Sequence, residues 1–254
     1  MILLFPVKQR HFYTGKQVKQ KNGYLSPKAQ VRPYPLWVLY AAVRFFAFMV
    51  FPLQVQQFFI QDRCVDLCVP DPGAVQKAYQ KGEIPFPYWS KVWPAAIGLG
   101  EFLCNHPYYI QNKKVLELAA GLGLPSVMAA RSAASVLSTD YMPGAVEAIQ
   151  RSAEHNGLKN ITAALLDWRS LSPLVDADVL LVSDINYDPA LFNIQHRQLK
   201  LFLQRGTTII LSTPQRLMGK EFIVAWLPFC KHREELTVND SGSSVLISVL
   251  VLQQ

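Results

Sequence analysis

The sequence predicts an α/β fold: a doubly wound, mostly parallel seven-stranded sheet that ends in an antiparallel hairpin. Two observations predict it. Strand-like and helix-like segments alternate from residue 113 to residue 228, which calls for parallel strands joined by covering helices. The last two strand-like segments, HREELTV and SVLISVLVL, are separated only by the turn NDSGS, so they must pair antiparallel, because a parallel pair needs a long crossover. A third observation bounds the size. The chain has 254 residues, 50% of them hydrophobic, which suits one well-buried domain.

The elements follow in order. DRCVDLCV (62–69) reads as a strand. PGAVQKAYQ (72–80) reads as a short helix, with Asp71 as N-cap and Pro72 at the first helical position. A helix follows from about Pro94 to Asn105. KKVLELA (113–119) is apolar enough for a buried parallel strand, and LPSVMAARS after it is helical. SVLSTD (135–140) is a strand, and PGAVEAIQRSAEHNG (143–157) is a helix with Pro near its start and Gly at its end. NITAALLD (160–167), DVLLVSDI (178–185) and TTIILST (207–213) are strands, with helices over 189–204 and 219–228. The organisation expected is a lead-in of strand and helices over 49–110 and a cofactor-binding domain over 111–254.

Charge sets the first 48 residues apart. The chain carries 25 basic and 18 acidic residues, net +7. Residues 1–48 hold eight of the basic side chains and none of the acidic ones, leaving 17 basic against 18 acidic from Met49 onward. The domain is therefore near neutral, with no charge reason to seek polyanions, and no nucleic-acid partner is expected. Residues 1–35 are polar and turn-rich and are expected to be disordered. Leu36–Leu53 is about long enough to cross a bilayer, but Arg44 at its centre costs roughly 2.5–3.5 kcal/mol on insertion scales. A membrane anchor, a targeting segment and untranslated sequence ahead of an initiator at Met49 compete for this region. The loss of acidic residues before Met49 favours the last. A cytoplasmic monomer is expected, with membrane association through 36–53 left open.

Four cysteines (Cys64, Cys68, Cys104, Cys230) include one close pair, four apart in a strand and so on one face. A zinc site needs two further ligands, and no CxxC or Cys–His pair supplies them. Small core residues in a reducing compartment are the expectation. The five histidines are scattered without ligand spacing and read as structural or surface residues, so no metal is expected.

The chemistry-bearing signal is VLELAAGLGLPS (115–126), where a strand ends, the chain turns on Gly121 and Gly123, and a helix begins near Leu124. Glycine is needed where a ligand presses on backbone or φ is positive, and amides there can meet a ligand carboxylate. NAD enzymes use a similar loop, but Ser126 stands where the dinucleotide fingerprint has its third glycine, and Glu117 two residues before the bend is more typical of a methyltransferase. A plain strand–helix turn is the alternative. Asp140 ends the next strand, at the ligand-binding edge of such a sheet, where one carboxylate can accept from two vicinal ribose hydroxyls. Its alternative is a helix-capping Asp before Pro143. Asp167 and Trp168 end the third strand, where an adenine would lie. Asp167 can accept from an exocyclic amine, and Trp168 either walls the ring or packs in the core.

The pieces VWPAAIGLGEFL (92–103), VLELAAGLGLPS, STD (138–140), DWR (167–169) and VSDINYD (182–188) resemble the seven-strand, Rossmann-like class I methyltransferases of the family 16 type, over roughly residues 85–228. PFPYWSKVWPAA (85–96) is similar to the branch that methylates a lysine of the electron-transfer flavoprotein β subunit. The resemblance implies S-adenosylmethionine as cofactor, contacted by Trp93, Ala119, Gly121, Asp140, Trp168 and Ser183. It departs at Ala119, where that family usually has glycine. It also implies an Asp-x-x-Tyr motif, here Asp184 and Tyr187, at the acceptor. Methyl transfer to an amine is an in-line displacement by a nitrogen lone pair, so the protein must align and desolvate a deprotonated amine. Asp184 is expected to orient the nitrogen, Tyr187 and Trp93 to form an aromatic channel, and Asn186 to offer an amide. A packed strand-end tyrosine is the alternative for Tyr187. The expected acceptor is a protein lysine, with a nicotinamide-like small molecule as runner-up. A noncatalytic partner subunit is opposed by the intact Asp184 and Tyr187, and an NAD oxidoreductase by Ser126 and the closing hairpin.

Overall fold

The structure, a computed structural model, describes residues 51–171, 175–240 and 242–254. The expectations for residues 1–48, and most of the Leu36–Leu53 run, fall outside them. Among the described residues no helix is long and apolar enough to cross a membrane.

The described residues open with an antiparallel hairpin, β1 (Leu53–Ile60) and β2 (Arg63–Pro70), turning at Gln61 with φ +56°. The sequence reading had only the second strand. β1 was hidden because LQVQQFFI mixes polar and apolar residues without a buried stripe. Helix α1 (Pro72–Gln80) starts as expected: the Asp71 carboxylate accepts from the Ala74 amide at 2.6 Å, satisfying one of the first-turn donors. Helix α2 (Pro94–Asn105) follows.

The main sheet is then laid down as β3 (Lys114–Leu118), α3 (Leu124–Ala129), β4 (Ser135–Asp140), α4 (Pro143–His155), β5 (Ile161–Leu165), β6 (Val179–Ser183), α5 (Phe192–Gln204), β7 (Thr208–Pro214), α6 (Lys220–Val224), β8 (Cys230–Asp240) and β9 (Ser243–Leu252). Its order is β5-β4-β3-β6-β7-β9-β8. β3 to β7 pair in parallel, while β9 pairs antiparallel to both β7 and β8. This is the doubly wound sheet with a closing hairpin that the alternation and the short last turn required.

The two faces bury separate apolar clusters. Under α2, α3 and α4 lie Leu99, Phe102, Val127, Ile149 and Ile247; under α5 and α6 lie Leu116, Leu180, Leu199, Phe202 and Phe222. α4 carries its buried side chains (Ala145, Ala148, Ile149, Ser152, Ala153) on one stripe, the spacing of a one-sided amphipathic helix. Truncating the fully buried Ile149 to alanine would cost about 2–5 kcal/mol. The opening hairpin leans on the same helix: the Cys68 amide donates to Ser152 Oγ at 2.8 Å, and Asn156 Nδ2 donates to the Asp66 carbonyl at 2.6 Å. The four cysteines are free thiols.

From β3 the chain winds outward through β4 and β5, then crosses back to place β6 on the other side of β3. That reversal opens a crevice at the C-terminal ends of β3, β4 and β6, the place where open α/β sheets bind ligands.

Candidate functional site

A cavity of about 410 Å³ fills this crevice. It is within the size range of small-molecule sites, about 300–1,000 Å³. Its floor is the loop from Ala119 to Gly123. Three alternate residues there take left-handed backbone: Ala119 (φ +55°), Gly121 (+56°) and Gly123 (+69°). A side chain at Gly123 would bring Cβ to 2.8 Å from Ile149 Cγ1, so glycine is dictated twice, by φ and by space. Ala119 adopts the same conformation with a Cβ, at roughly 1–2 kcal/mol. That is the physical reason glycine suits position 119.

Glu117 lies beneath the loop rather than in it. It is fully buried, and its Oε2 accepts from the Ser126 amide (3.0 Å) and the Ser126 hydroxyl, stapling strand β3 to α3. Burial pushes its carboxyl up to about 8, against the opposing pull of those two hydrogen bonds. Among the described residues its Oε1 has no hydrogen-bond partner.

Asp140 ends β4 at the cavity wall, 4% exposed. Its oxygens accept from the Gly121 amide and the Met142 amide, both at 2.9 Å, and burial still pushes the carboxyl up to about 6. Among the described residues no Lys, Arg or His forms an ion pair with it. A buried carboxylate left without a cation, beside a glycine cradle, fits a neutral donor such as a vicinal diol.

On the far side of β3, Ser183 ends β6 and Asp184 follows with φ +53°. The Asp184 side chain is 10% exposed, and both its oxygens are held by Arg216, Nη2 to Oδ2 at 2.9 Å. Tyr187 lies across Tyr88, ring centroids 4.8 Å apart and planes 30° from parallel. Burial, then the neighbouring Tyr141 and Tyr88, push the Tyr187 phenol up to about 12, so it stays neutral at physiological pH. Trp93 donates its indole N–H to the Tyr88 carbonyl at 2.7 Å, and the Lys91 ammonium sits 4.1 Å above its ring. Asn186 is buried beneath, accepting from the Thr213 hydroxyl at 2.8 Å.

The cavity thus gathers Trp93, Ala119, Gly121, Gly123, Asp140 and Ser183 from the expected cofactor set, together with Asp184 and Tyr187. Glu117, Asp167 and Trp168 are not among its lining residues. The Asp167 carboxylate grips Arg169 (2.6–3.0 Å), and Trp168 packs toward the α5 face of the core, its carbonyl accepting from Gln198 Nε2. The sequence reading missed Tyr88, Lys91, Tyr141 and Arg216, all in the lining. The aromatic density of PYWSKVW was a signal for the first two; Arg216 had none, since β6–β7 pairing delivers it from 32 residues away.

Comparison with known proteins agrees with this geometry. The profile of a family described as lysine methyltransferase matches residues 88–225. The histone-arginine methyltransferase METTL23 of Xenopus laevis is 35% identical over 108 residues, 40% of this chain and 46% of that protein. The electron transfer flavoprotein beta subunit lysine methyltransferase of Danio rerio is 32% identical over 134 residues, 52% of each. The chain spans about half the length of the curated relatives it matches. Among solved structures, a T. thermophilus 16S rRNA methyltransferase in complex with AdoMet and guanosine aligns with TM-score 0.54 at 16% identity, covering 80% of this chain and 50% of that one. At that identity the likeness shows the fold alone. The motifs at the ends of β3, β4 and β6 all lie inside the matched span, and the chain belongs to the lysine methyltransferase family, S-adenosylmethionine-dependent enzymes here built on a class I seven-strand fold.

Proposed function

We propose that the enzyme methylates a lysine side chain of a protein substrate. The observation that carries this reading is the aromatic mouth of the cavity: Tyr88 and Tyr187 stacked against each other, with Trp93 beside them already bearing a lysine ammonium on its face. Rings arranged this way suit an aliphatic stem and favour an ammonium on approach. S-adenosylmethionine, when bound, supplies an electrophilic methyl group on a sulfonium. Gly121, Gly123 and Asp140 would hold its nucleoside and amino-acid parts, with Trp93, Ala119 and Ser183 around them; Asp167 and Trp168 remain candidates for the adenine side.

The chain's own residues have three tasks. A free lysine has a pKa near 10.4, so it must shed its proton on entering, and the apolar aromatic walls favour the neutral amine by desolvation. Asp184 orients the nitrogen: a carboxylate has about four lone-pair sites, so it can accept from the amine while Arg216 fixes its plane. Tyr187, neutral throughout, closes the channel and excludes water rather than acting as a base. The family match and the lysine methyltransferase relative support this reading.

Arginine is the second reading. Asp184 already receives a guanidinium through two parallel bonds, the geometry a substrate arginine would present, and one set of relatives is described as histone-arginine methyltransferases. To decide, a lysate from cells lacking the enzyme is incubated with methyl-labelled cofactor and wild-type or Asp184→Ala protein, and labelled bands are hydrolysed to amino acids. Methyl-lysine with wild type only supports the proposal. Methyl-arginine selects the second reading, and label confined to small molecules such as nicotinamide removes both.

A further inference from the structure

The fold brings together three side chains that the sequence keeps far apart. His106 follows α2, and His232 and Glu234 sit two apart on β8, hence on one face of that strand. His106 Nε2 lies 2.7 Å from Glu234 Oε2, and His232 Nε2 lies 3.7 Å from the same oxygen. All three atoms fall within 4.8 Å of one another. His232 Nε2 is buried and has no hydrogen-bond partner among the described residues. A register shift between Cys230 and His232, a bulge in β8, sets the facing of this strand where the histidine enters.

We propose that His106, His232 and Glu234 form a zinc-binding site that ties the edge strand β8 to the end of α2. The donor set, two imidazoles and a carboxylate, is one that zinc uses with a fourth position open to water. Ligands at ordinary zinc distances in a tetrahedron sit about 3.3 Å apart, so the separations here need only small side-chain shifts. A supporting partner is in place as well. The Tyr108 hydroxyl is 3.2 Å from His106 Nδ1, so the ring can carry its hydrogen on Nδ1, donate it to tyrosine, and present the Nε2 lone pair to the ion. Phe102, fully buried, packs against both imidazoles at 4.5 and 5.8 Å and forms an apolar floor. The site is separate from the methyl-transfer cavity: α2 begins at that cavity, and its 12 residues carry the chain about 18 Å away. β8 is an edge strand, with no strand paired to its outer side among the described residues, so a metal clip there would tie down one edge of the sheet.

The test uses the full-length, untagged protein stripped with EDTA and titrated with zinc chloride. One zinc per chain is expected, with only nitrogen and oxygen ligands by X-ray absorption, and a melting temperature that rises with zinc but not with magnesium. His232→Ala removes a ring nitrogen that makes no hydrogen bond among the described residues, and Glu234→Gln keeps the shape; each should weaken zinc at least tenfold and abolish the zinc-dependent thermal shift. Tyr108→Phe should weaken it about tenfold, as loss of a supporting hydrogen bond to a ligand histidine does. No saturable uptake, sulfur ligands from the cysteines, or unchanged affinity in His232→Ala would each overturn the proposal.

Discussion

Glu117→Gln isolates an unusual buried group. Burial holds the Glu117 carboxyl at about 8 in the folded protein, against 4.5 for the ordinary group. A raised folded-state value means that the native site binds its proton more tightly than the unfolded chain does. Its stabilising contribution is therefore present in acid and lost as pH rises through about 8. From pH 7 to pH 9 the native site passes from mostly protonated to mostly ionised, while the unfolded chain stays ionised throughout. The loss is about one pH unit's worth, about 1.4 kcal/mol. Glutamine keeps the size, still accepts from the Ser126 amide and hydroxyl, and cannot ionise. Its amide nitrogen takes the place of Oε1, which has no hydrogen-bond partner among the described residues in the wild type either. Wild type and variant should then unfold alike only below about pH 4.5, where the unfolded wild type also holds its proton, and the variant should already be the more stable by about 3 kcal/mol at pH 7. Between pH 7 and pH 9 the variant's advantage should widen by about 1.4 kcal/mol more, roughly 3–6 °C in melting temperature for a domain of this size. Thermal denaturation of both proteins across this range is the assay. The difference between the two curves removes the contribution of every other titrating group. Parallel curves, or a wild type that gains on the variant as pH rises, would refute the reasoning.

Other expectations follow from the same geometry. Arg216→Ala should leave binding of S-adenosylhomocysteine within twofold while raising KM for the acceptor, because Asp184 loses the partner that fixes its plane; steady-state kinetics with separate titration of each substrate checks this. Gly144→Ala would place a Cβ 2.6 Å from Trp89 Cη2 and should lower stability by about 1–3 kcal/mol, measured by urea unfolding. Affinity for S-adenosylhomocysteine should drop about tenfold between pH 7 and pH 5, since the Asp140 carboxyl titrates at about 6 and its protonated form accepts donors poorly; a flat profile by calorimetry contradicts that role.

The parallel part of the sheet was legible because its strands are short apolar runs bounded by turn residues, and helices α1, α2 and α4 begin at prolines. SVLSTD occupies 135–140 as read, and the helix read over 143–157 runs from Pro143 to His155. The loop from Ala119 to Gly123 was legible for the same reason: glycine at alternate positions marks a backbone that must turn left-handed. What stayed hidden depends on pairing between distant segments. Arg216 reaches Asp184 only because β6 and β7 lie in register, Ser183 beside Ser212. His106 meets Glu234 across 128 residues, through the packing of α2 on β8, so reading the histidines one at a time found no ligand spacing. The strand read as ending at Asp167 stops at Leu165, and the Asp167 carboxylate turns to Arg169 two residues on, a local contact that no periodicity encodes.

The central claim is that one cavity is divided between a nucleoside half at Asp140 and an acceptor half at Asp184. Calorimetric titration of S-adenosylhomocysteine into wild type, Asp140→Ala and Asp184→Ala tests that division most directly. Loss of hydrogen bonds to a charged acceptor is worth about 1.5–3 kcal/mol, so Asp140→Ala should bind ten- to a hundredfold more weakly. Asp184→Ala should bind within twofold of wild type, and NAD should give no heat with any of them. Unchanged affinity in a folded Asp140→Ala protein, or a large loss confined to Asp184→Ala, would contradict the account.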